Sequence, residues 1–512
     1  TGDVNTVKDT TAVFGTSQGN LASSGEKVYL KAGLRYDSST RKNAEVQSML
    51  YSPLPAALTE HSGVRLLQAR MYIHGYNMGF ASCPDTLQLN AYRITKDWGT
   101  SNMDNTDVIC LDANGNADYT DVLDFIRVND SGENYFDWYE IDITKAAQQW
   151  LDGLAPNYGV ALRATGLGST ESFARFYDST NTQTAAACPK FAYQYRDAKG
   201  VEDYWTFTSV PAGRNGTAAV NNFNGNPVVV QELCASTGER LPVSLSLIYS
   251  MNSNESLKSG LGPWRTNYHM YIEVCDIQFQ GVKYPYCFVD SDGTRHYLYE
   301  KDGKYIDEDG LGLEMTVINE SDYRYKMITK DKTEIKFDWF GRLKRIIDGN
   351  GNYNQVQYVS MSDAGNHTIA EILEGNTKSS DTRSTTFVYS GTTVRITPPG
   401  QNNLALVYNG SNRAWLDSIY YPDSSSADNG GAVDFTYNKG TGALQTVTDG
   451  YGRSTKITYT ASGNRAATLQ YGGGGVYSYA YSFAYAWNAT TVTDQEGRAV
   501  TYQFNNAGQT VG

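Results

Sequence analysis

Residues 434–459 read DFTYNKGTGALQTVTDGYGRSTKITY. Here an aromatic and a short polar residue, Tyr437-Asn438, lead to Gly442-Ala443-Leu444; Val447 and Asp449 follow, then Gly452-Arg453 and, after an alternating run, Tyr459. The order recurs as Phe337-Asp338, Gly341-Arg342-Leu343, Ile346, Asp348, Gly351-Asn352 and Tyr358, and in a shorter copy as Val492, Asp494, Gly497-Arg498, Phe504-Asn505 and Gly508. Ten residues separate Asp from aromatic in every copy (348 to 358, 449 to 459, 494 to 504), and seven separate glycine from Asp in the two longer ones (341 to 348, 442 to 449).

An Asp-x-x-Gly step puts a carboxylate that can accept the turn's N–H groups ahead of a glycine able to take positive φ. In Ser454-Thr455-Lys456-Ile457-Thr458-Tyr459 the side chains alternate as they do along a half-buried strand. Each copy therefore predicts a β-hairpin. A lone hairpin leaves its aromatic face in water, so neighbouring copies have to stack.

The 512 residues exceed what one core organises, since single cores stop growing at about 250 to 300 residues, and two or more domains are expected. With 39 Tyr and 49 Gly against 13 Pro, β-branched residues throughout and few helical runs, the composition predicts an all-β protein of many short strands and tight turns. A net charge of −13 without any block of Lys or Arg argues against nucleic acid and anionic membranes as partners. No apolar run approaches the roughly 20 residues of a membrane span, which argues against membrane insertion. Cys83, Cys110, Cys188, Cys234, Cys275 and Cys287 are scattered, with no Cys-x-x-Cys pair and no nearby His. That pattern predicts buried thiols or one or two disulfides, and no metal site. Thr1-Gly2-Asp3 is no signal peptide and Gly512 falls inside a repeat, so the chain reads as a piece of a longer protein.

Residues 1–198 have a different pattern. Strands are expected at 28–32, 64–74, 87–95, 135–143, 159–165, 173–177 and 191–195, separated by clusters of Gly, Asn, Asp and Ser, which suggests a two-sheet sandwich. One helix interrupts them, with Thr144 as its cap, Ala147, Trp150 and Leu151 on one face and Gly153 as its stop. The segments LNAYRITKDW (89–98), WYEIDIT (138–144) with Trp150 behind it, and PNYGV (156–160) resemble the DNRLRE family, jelly-roll modules of bacterial surface and secreted proteins related to carbohydrate-binding modules. The resemblance implies a jelly-roll β-sandwich for adhesion or targeting, with a polysaccharide or cell-surface glycan as ligand.

Residues 199–226, with Ala212-Gly213-Arg214-Asn215-Gly216-Thr217 among them, are expected to be a Gly-rich connection, and the third region is residues 227–512. The segments GERLPVSL (238–245) and GPWRTNY (262–268), then Asp292-Gly293-Thr294-Arg295-His296-Tyr297 and the three hairpin copies, resemble the Rhs or YD-repeat family of polymorphic toxins, Tc-toxin C components and teneurins. That resemblance implies a curved antiparallel β-sheet of hairpins, the start of an incomplete hollow shell that encloses or presents a domain encoded downstream. The signature is often Tyr-Asn or Phe-Asn in place of Tyr-Asp, and no Asp-Pro-x-Gly self-cleavage region occurs. Degenerate hairpins such as LDSIYY (416–421) are expected to fill the uneven spacing between copies.

No stretch demands catalysis. Asp290-Ser291-Asp292-Gly293 and Asp307-Glu308-Asp309-Gly310 lack the later glutamate of a calcium loop and read as Asp-Gly turns. His61, His74, His269, His296 and His367 stand in separate contexts without metalloprotease spacing, and read as surface or structural residues. No Gly-x-Ser-x-Gly elbow is present, and Gly472-Gly473-Gly474-Gly475 lacks the Lys-Ser or Lys-Thr of a phosphate loop. The stripe Tyr477, Tyr479, Tyr481, Phe483, Tyr485 places its aromatics on one strand face, as core packing or as a platform for sugars.

The expectation is thus a non-enzymatic portion of a secreted or cell-surface Rhs-repeat protein, extracellular, without cofactor and without catalytic, cofactor-binding or metal residues. Gly341, Asp348, Gly351, Tyr358, Gly442, Asp449, Gly452, Tyr459, Asp494, Gly497 and Phe504 are its structural repeat positions. The alternative is a polysaccharide-active lyase or hydrolase with an accessory β-sandwich, which requires convergent carboxylates in a cleft.

Overall fold

A computed structural model describes residues 8–14, 29–37, 42–59, 64–75, 87–97, 110–128 without 111, 113 and 115, 138–167, 172–197 without 180–184, and 200–512 without 237–240, 252–258, 280–281, 361, 411–412, 423–430, 439, 462–464, 475 and 506–507. Val28, His61, Cys83, Trp98, Tyr135, Gly238, Glu239, Arg240 and Gly475 lie outside the described residues. The chain divides into two compact units, Thr1–Glu60 with Arg65–Arg196 and His61–Val64 with Asp197–Gly512.

The first unit is all-β apart from short helices. One sheet runs Val122–Val128, Leu87–Arg93, Val160–Thr165, Lys42–Tyr51, Tyr29–Asp37, Ser172–Tyr177, with Lys8–Phe14 also paired to Lys42–Tyr51; the other runs Lys190–Asp197, Val64–His74, Trp138–Asp142. Tyr139 of the second sheet meets Phe176 of the first edge-on at 5.9 Å. Three of these strands, Lys8–Phe14, Lys42–Tyr51 and Val122–Val128, are additions to the sequence expectation. The helix Thr144–Leu151 buries Ala146, Ala147, Gln148 and Trp150, but Thr144 is not its cap: Ile143 holds that position without a side-chain hydrogen bond. Thr144 instead turns outward from the helix, its Oγ1 accepting the Ala69 N–H at 2.9 Å, while Asp142 Oδ1 accepts the Thr144 N–H.

In the second unit the stretch expected as a connection is built structure. Phe207–Ala212 and Gly216–Asn221 are the first two strands of a five-stranded antiparallel meander continued by Pro227–Ala235, Ser244–Ser250 and Trp264–Thr266. The glycines serve the hairpin at Gly213–Gly216 rather than a linker, and Ala212, Ala218 and Val220 are fully buried. Among the described residues a 21-stranded sheet follows from Tyr271–Phe279 to Ala499–Gln503, in which every strand pairs antiparallel with its neighbour in sequence.

Two sets of hydrogen bonds require this long sheet to curve. Tyr271, on its first strand, also bridges to Arg342, seven strands further on, with Ile272 N donating to Gly341 O at 2.7 Å and Leu343 N to Met270 O at 2.9 Å. At about 4.8 Å per strand, seven strands laid flat would separate those groups by about 34 Å. The five-stranded meander then lies against the following strands: Asn354 Nδ2 donates to Leu241 O, Tyr421 OH to Glu232 O, Thr455 Oγ1 to Pro211 O and Ala466 N to Gly225 O, all between 2.6 and 2.9 Å. Phe223 meets Phe504 edge-on at 5.3 Å. One continuous apolar core, from Val210 through Trp264 and Leu343 to Val492, joins the two sheets. The strands expected as degenerate hairpins between the longer copies are present, Trp415–Tyr420 among them. Tyr481, Phe483 and Tyr485 pack on that core, whereas Tyr477 and Tyr479 at the other end of the stripe are exposed.

Candidate functional site

The repeat positions are best understood turn by turn. Asp449 Oδ1 accepts the N–H groups of Tyr451 and Arg453 at 3.0 and 2.9 Å, and its Oδ2 accepts Arg453 Nε at 2.7 Å. Asp494 repeats this with Glu496, Arg498 and the Arg498 Nε; Asp348 does so with Asn350, Asn352 and the Asn352 Nδ2. The glycine in each turn has positive φ, 80° at Gly351, 76° at Gly452 and 80° at Gly497, and Gly341 and Gly442 stand at 82° and 75°. Burial raises the Asp348 and Asp494 carboxyls, but the donated hydrogen bonds outweigh it and hold both below the ordinary value.

The aromatic positions share a second device. Tyr358 OH donates to Leu343 O at 2.7 Å and Tyr459 OH to Leu444 O at 2.6 Å, in both cases 15 residues back. One partner-strand residue is skipped opposite each of Phe337, Tyr358, Tyr437 and Tyr459, a β-bulge that turns the ring inward. Phe504 has no hydroxyl and is buried against Phe223. The turns of Asp348, Asp449 and Asp494 are eight and four strands apart along the sheet, so the repeat residues do not converge on a site.

The glycines separate two grades of constraint. A Cβ at Gly452 would meet nothing within 4 Å, whereas at Gly341 it would lie 2.2 Å from the Ile272 carbonyl oxygen. Gly452→Ala is expected to cost about 1 to 2 kcal/mol for the left-handed backbone alone, and Gly341→Ala at least about twice that, because a hydrogen-bonded strand has to move. Urea unfolding midpoints of the two variants give the comparison; equal values would contradict it.

Convergent chemistry occurs elsewhere, at the turns read as Asp-Gly hairpin tips. Asp290 Oδ1 accepts the Asp292 and Thr294 N–H groups, and Asp307 accepts those of Leu311 and Leu313, as turn residues do. Asp290 and Asp309 also reach a common imidazole. His296 is fully buried; its Nδ1 donates to Asp309 Oδ2 at 2.8 Å, and its Nε2 lies 3.2 Å from Asp290 Oδ2 and 3.4 Å from Glu202 Oε1. Burial alone would lower the ring's pKa, but the Asp290, Asp309 and Glu202 carboxylates outweigh it and raise it to about 12. Burial, with the Asp290 carboxylate beside it, raises Asp292 to about 7. Val201 N donates to Asp292 Oδ2 at 2.5 Å, which ties the segment carrying Glu202 to this turn.

Sequence spacing gave no sign of this cluster, because Glu202 lies far upstream and the two Asp turns come from successive hairpins. The other described histidines lie outside this group. His269 is buried, and burial together with Arg265 and His367 lowers its pKa to about 3; His74 Nδ1 pairs with the Gly75 carbonyl. Burial raises the Cys110, Cys234 and Cys287 thiols to about 12, which keeps them protonated and inert.

No family model matches the chain. The tRNA nuclease WapA of Bacillus subtilis strain 168 is 28% identical over 178 residues, covering 34% of this chain and 7% of its own length. The tRNA3(Ser)-specific nuclease WapA of Bacillus spizizenii is 28% identical over 177 residues with the same shares. The chain thus spans a small part of the curated relatives it matches. Among solved structures, a TcdB2-TccC3-Cdc42 complex aligns with 58% of this chain and 22% of its own at a TM-score of 0.22 and 9% identity. The Photorhabdus luminescens Tc holotoxin pore with a TccC3 variant aligns with 60% and 22% at a TM-score of 0.22 and 10% identity. The similarity is distant and partial, and it runs to Rhs-type and toxin-type proteins.

Proposed function

We propose that the chain is the non-enzymatic scaffolding portion of a toxin-related Rhs-repeat protein that acts outside the cell or on its surface. The second unit holds or presents a C-terminal domain of the same protein. The first unit is a DNRLRE-like module for adhesion or targeting, with a polysaccharide or cell-surface glycan as its ligand. The observation that supports this reading is the long meander curved over an inner sheet, with its repeated Asp, Gly and Tyr residues engaged in turns, bulges and packing. A lyase or hydrolase needs carboxylates that face a substrate. The carboxylates that converge here, Glu202, Asp290 and Asp309, surround a buried ring and have side-chain exposures of 14%, 17% and 8%.

Incubating the intact chain with a panel of soluble polysaccharides tests both halves of the proposal. Saturable binding without new reducing ends is the expected result. Depolymerisation of any member would overturn the non-enzymatic reading, and failure to bind any of them would remove glycan as the ligand class.

A further inference from the structure

We propose that Glu202, Asp290 and His296 bind a divalent transition-metal ion, with Asp309 orienting the imidazole from behind. Their donor atoms all lie within 4.8 Å of one another, and among the described residues this is the group of three that does so. One imidazole nitrogen with two carboxylate oxygens suits Zn²⁺ or Mn²⁺ better than Ca²⁺, which takes six to eight oxygens. The His296 Nδ1 contact with Asp309 is the partner that metal-binding histidines commonly have: with Nδ1 held by Asp309, Nε2 is the nitrogen directed at Asp290 and Glu202 and available to a metal.

The charges around the site point to a cation. Among the described residues, no Lys or Arg forms an ion pair with Glu202 or Asp290; His296 is their counter-charge. A dication held between the Glu202 and Asp290 carboxylates would balance both.

The approach of Glu202 is also prepared. A Cβ at Gly200 would lie 1.9 Å from Thr294 Oγ1 and 2.2 Å from both Asp292 carboxylate oxygens, so only glycine lets this segment settle onto the turn that presents Asp290. Glu202 thereby reaches two hairpins that follow it by about 90 residues, and an ion there ties the start of the second unit to the first strands of its long sheet.

The test uses the full 512-residue chain, stripped with EDTA, returned to metal-free buffer and titrated with Zn²⁺ and with Mn²⁺ by calorimetry. The expected result is one saturable site per chain and a higher unfolding temperature with metal than without. Glu202→Gln should weaken binding by about tenfold or more and shrink the metal-induced rise in unfolding temperature, and His296→Gln should abolish binding. Should His296→Gln fail to fold, Glu202→Gln still decides, because it removes a ligand charge while leaving the buried His296–Asp309 contact in place. No saturable binding by the wild type, or equal binding by wild type and Glu202→Gln, would overturn the proposal and leave a proton as the occupant of His296.

Discussion

Arg342→Met is expected to destabilise the second unit by about 3 to 5 kcal/mol, the range for a buried charge left without its partner. The Arg342 side chain is fully buried. Its Nε and Nη2 reach Asp338 Oδ2 at 2.9 and 2.8 Å, and its Nη1 donates to the carbonyls of Ser360, Asp363 and Asn366 at 2.7 to 3.2 Å. The guanidinium also lies 4.4 Å from the centre of the Tyr358 ring. Methionine fills similar volume but leaves Asp338 without its cation and removes the Arg342 donor from three carbonyls, in the turn where the first strand of the long sheet folds back to bond with Gly341 and Leu343.

The control has the same Asp-x-x-Gly-Arg motif. Arg498 stands in the same relation to Asp494 as Arg342 to Asp338, with an Nε contact of 2.6 Å, yet its side chain is 74% exposed and its ion pair is screened by water. Arg498→Met should leave the urea midpoint where it was. Equal losses in the two variants would mean that the turn motif itself, rather than its burial, sets the stability.

That contrast marks what could be read from the sequence. The Asp, the positive-φ glycine and the aromatic of each copy follow from local physics, because an Asp accepts N–H groups two and four residues on whatever surrounds the turn. Burial at one copy and exposure at another depend on which strands the sheet curves back upon, a long-range fact that the motif does not encode. The same limit hid Lys42–Tyr51, where Ala, Glu, Gln and Met weaken the strand pattern but neighbours on both sides impose it. It also hid Phe207–Ala212 and Gly216–Asn221, whose Gly and Asn read as a linker while their apolar residues are buried beneath the long sheet. His296 was visible as a residue but not as a site, since its partners come from three separate turns and segments.

Trp264→Ala is expected to cost about 3 to 5 kcal/mol, the range for removing a large buried aromatic, and to loosen the inner five-stranded sheet first. Trp264 is 1% exposed on the last strand of that sheet; its Nε1 donates to Tyr437 OH at 2.8 Å, and its ring meets Phe435 at 5.0 Å and Tyr249 at 5.4 Å. Tyr249 in turn accepts the Leu444 N–H at 3.0 Å, so Trp264 and Tyr249 together anchor the inner sheet to the hairpin of residues 434–459. Tyr437→Phe removes only the hydrogen bond and should cost about 1 kcal/mol, which separates that bond from the packing. Hydrogen exchange locates the effect. In Trp264→Ala the strands Ser244–Ser250 and Ala432–Tyr437 should lose protection together, while the turn of Arg342 keeps its own. Loss of protection in the inner strands alone would show that the long sheet does not need the layer beneath it, and the joint core inferred for the two sheets would have to be given up.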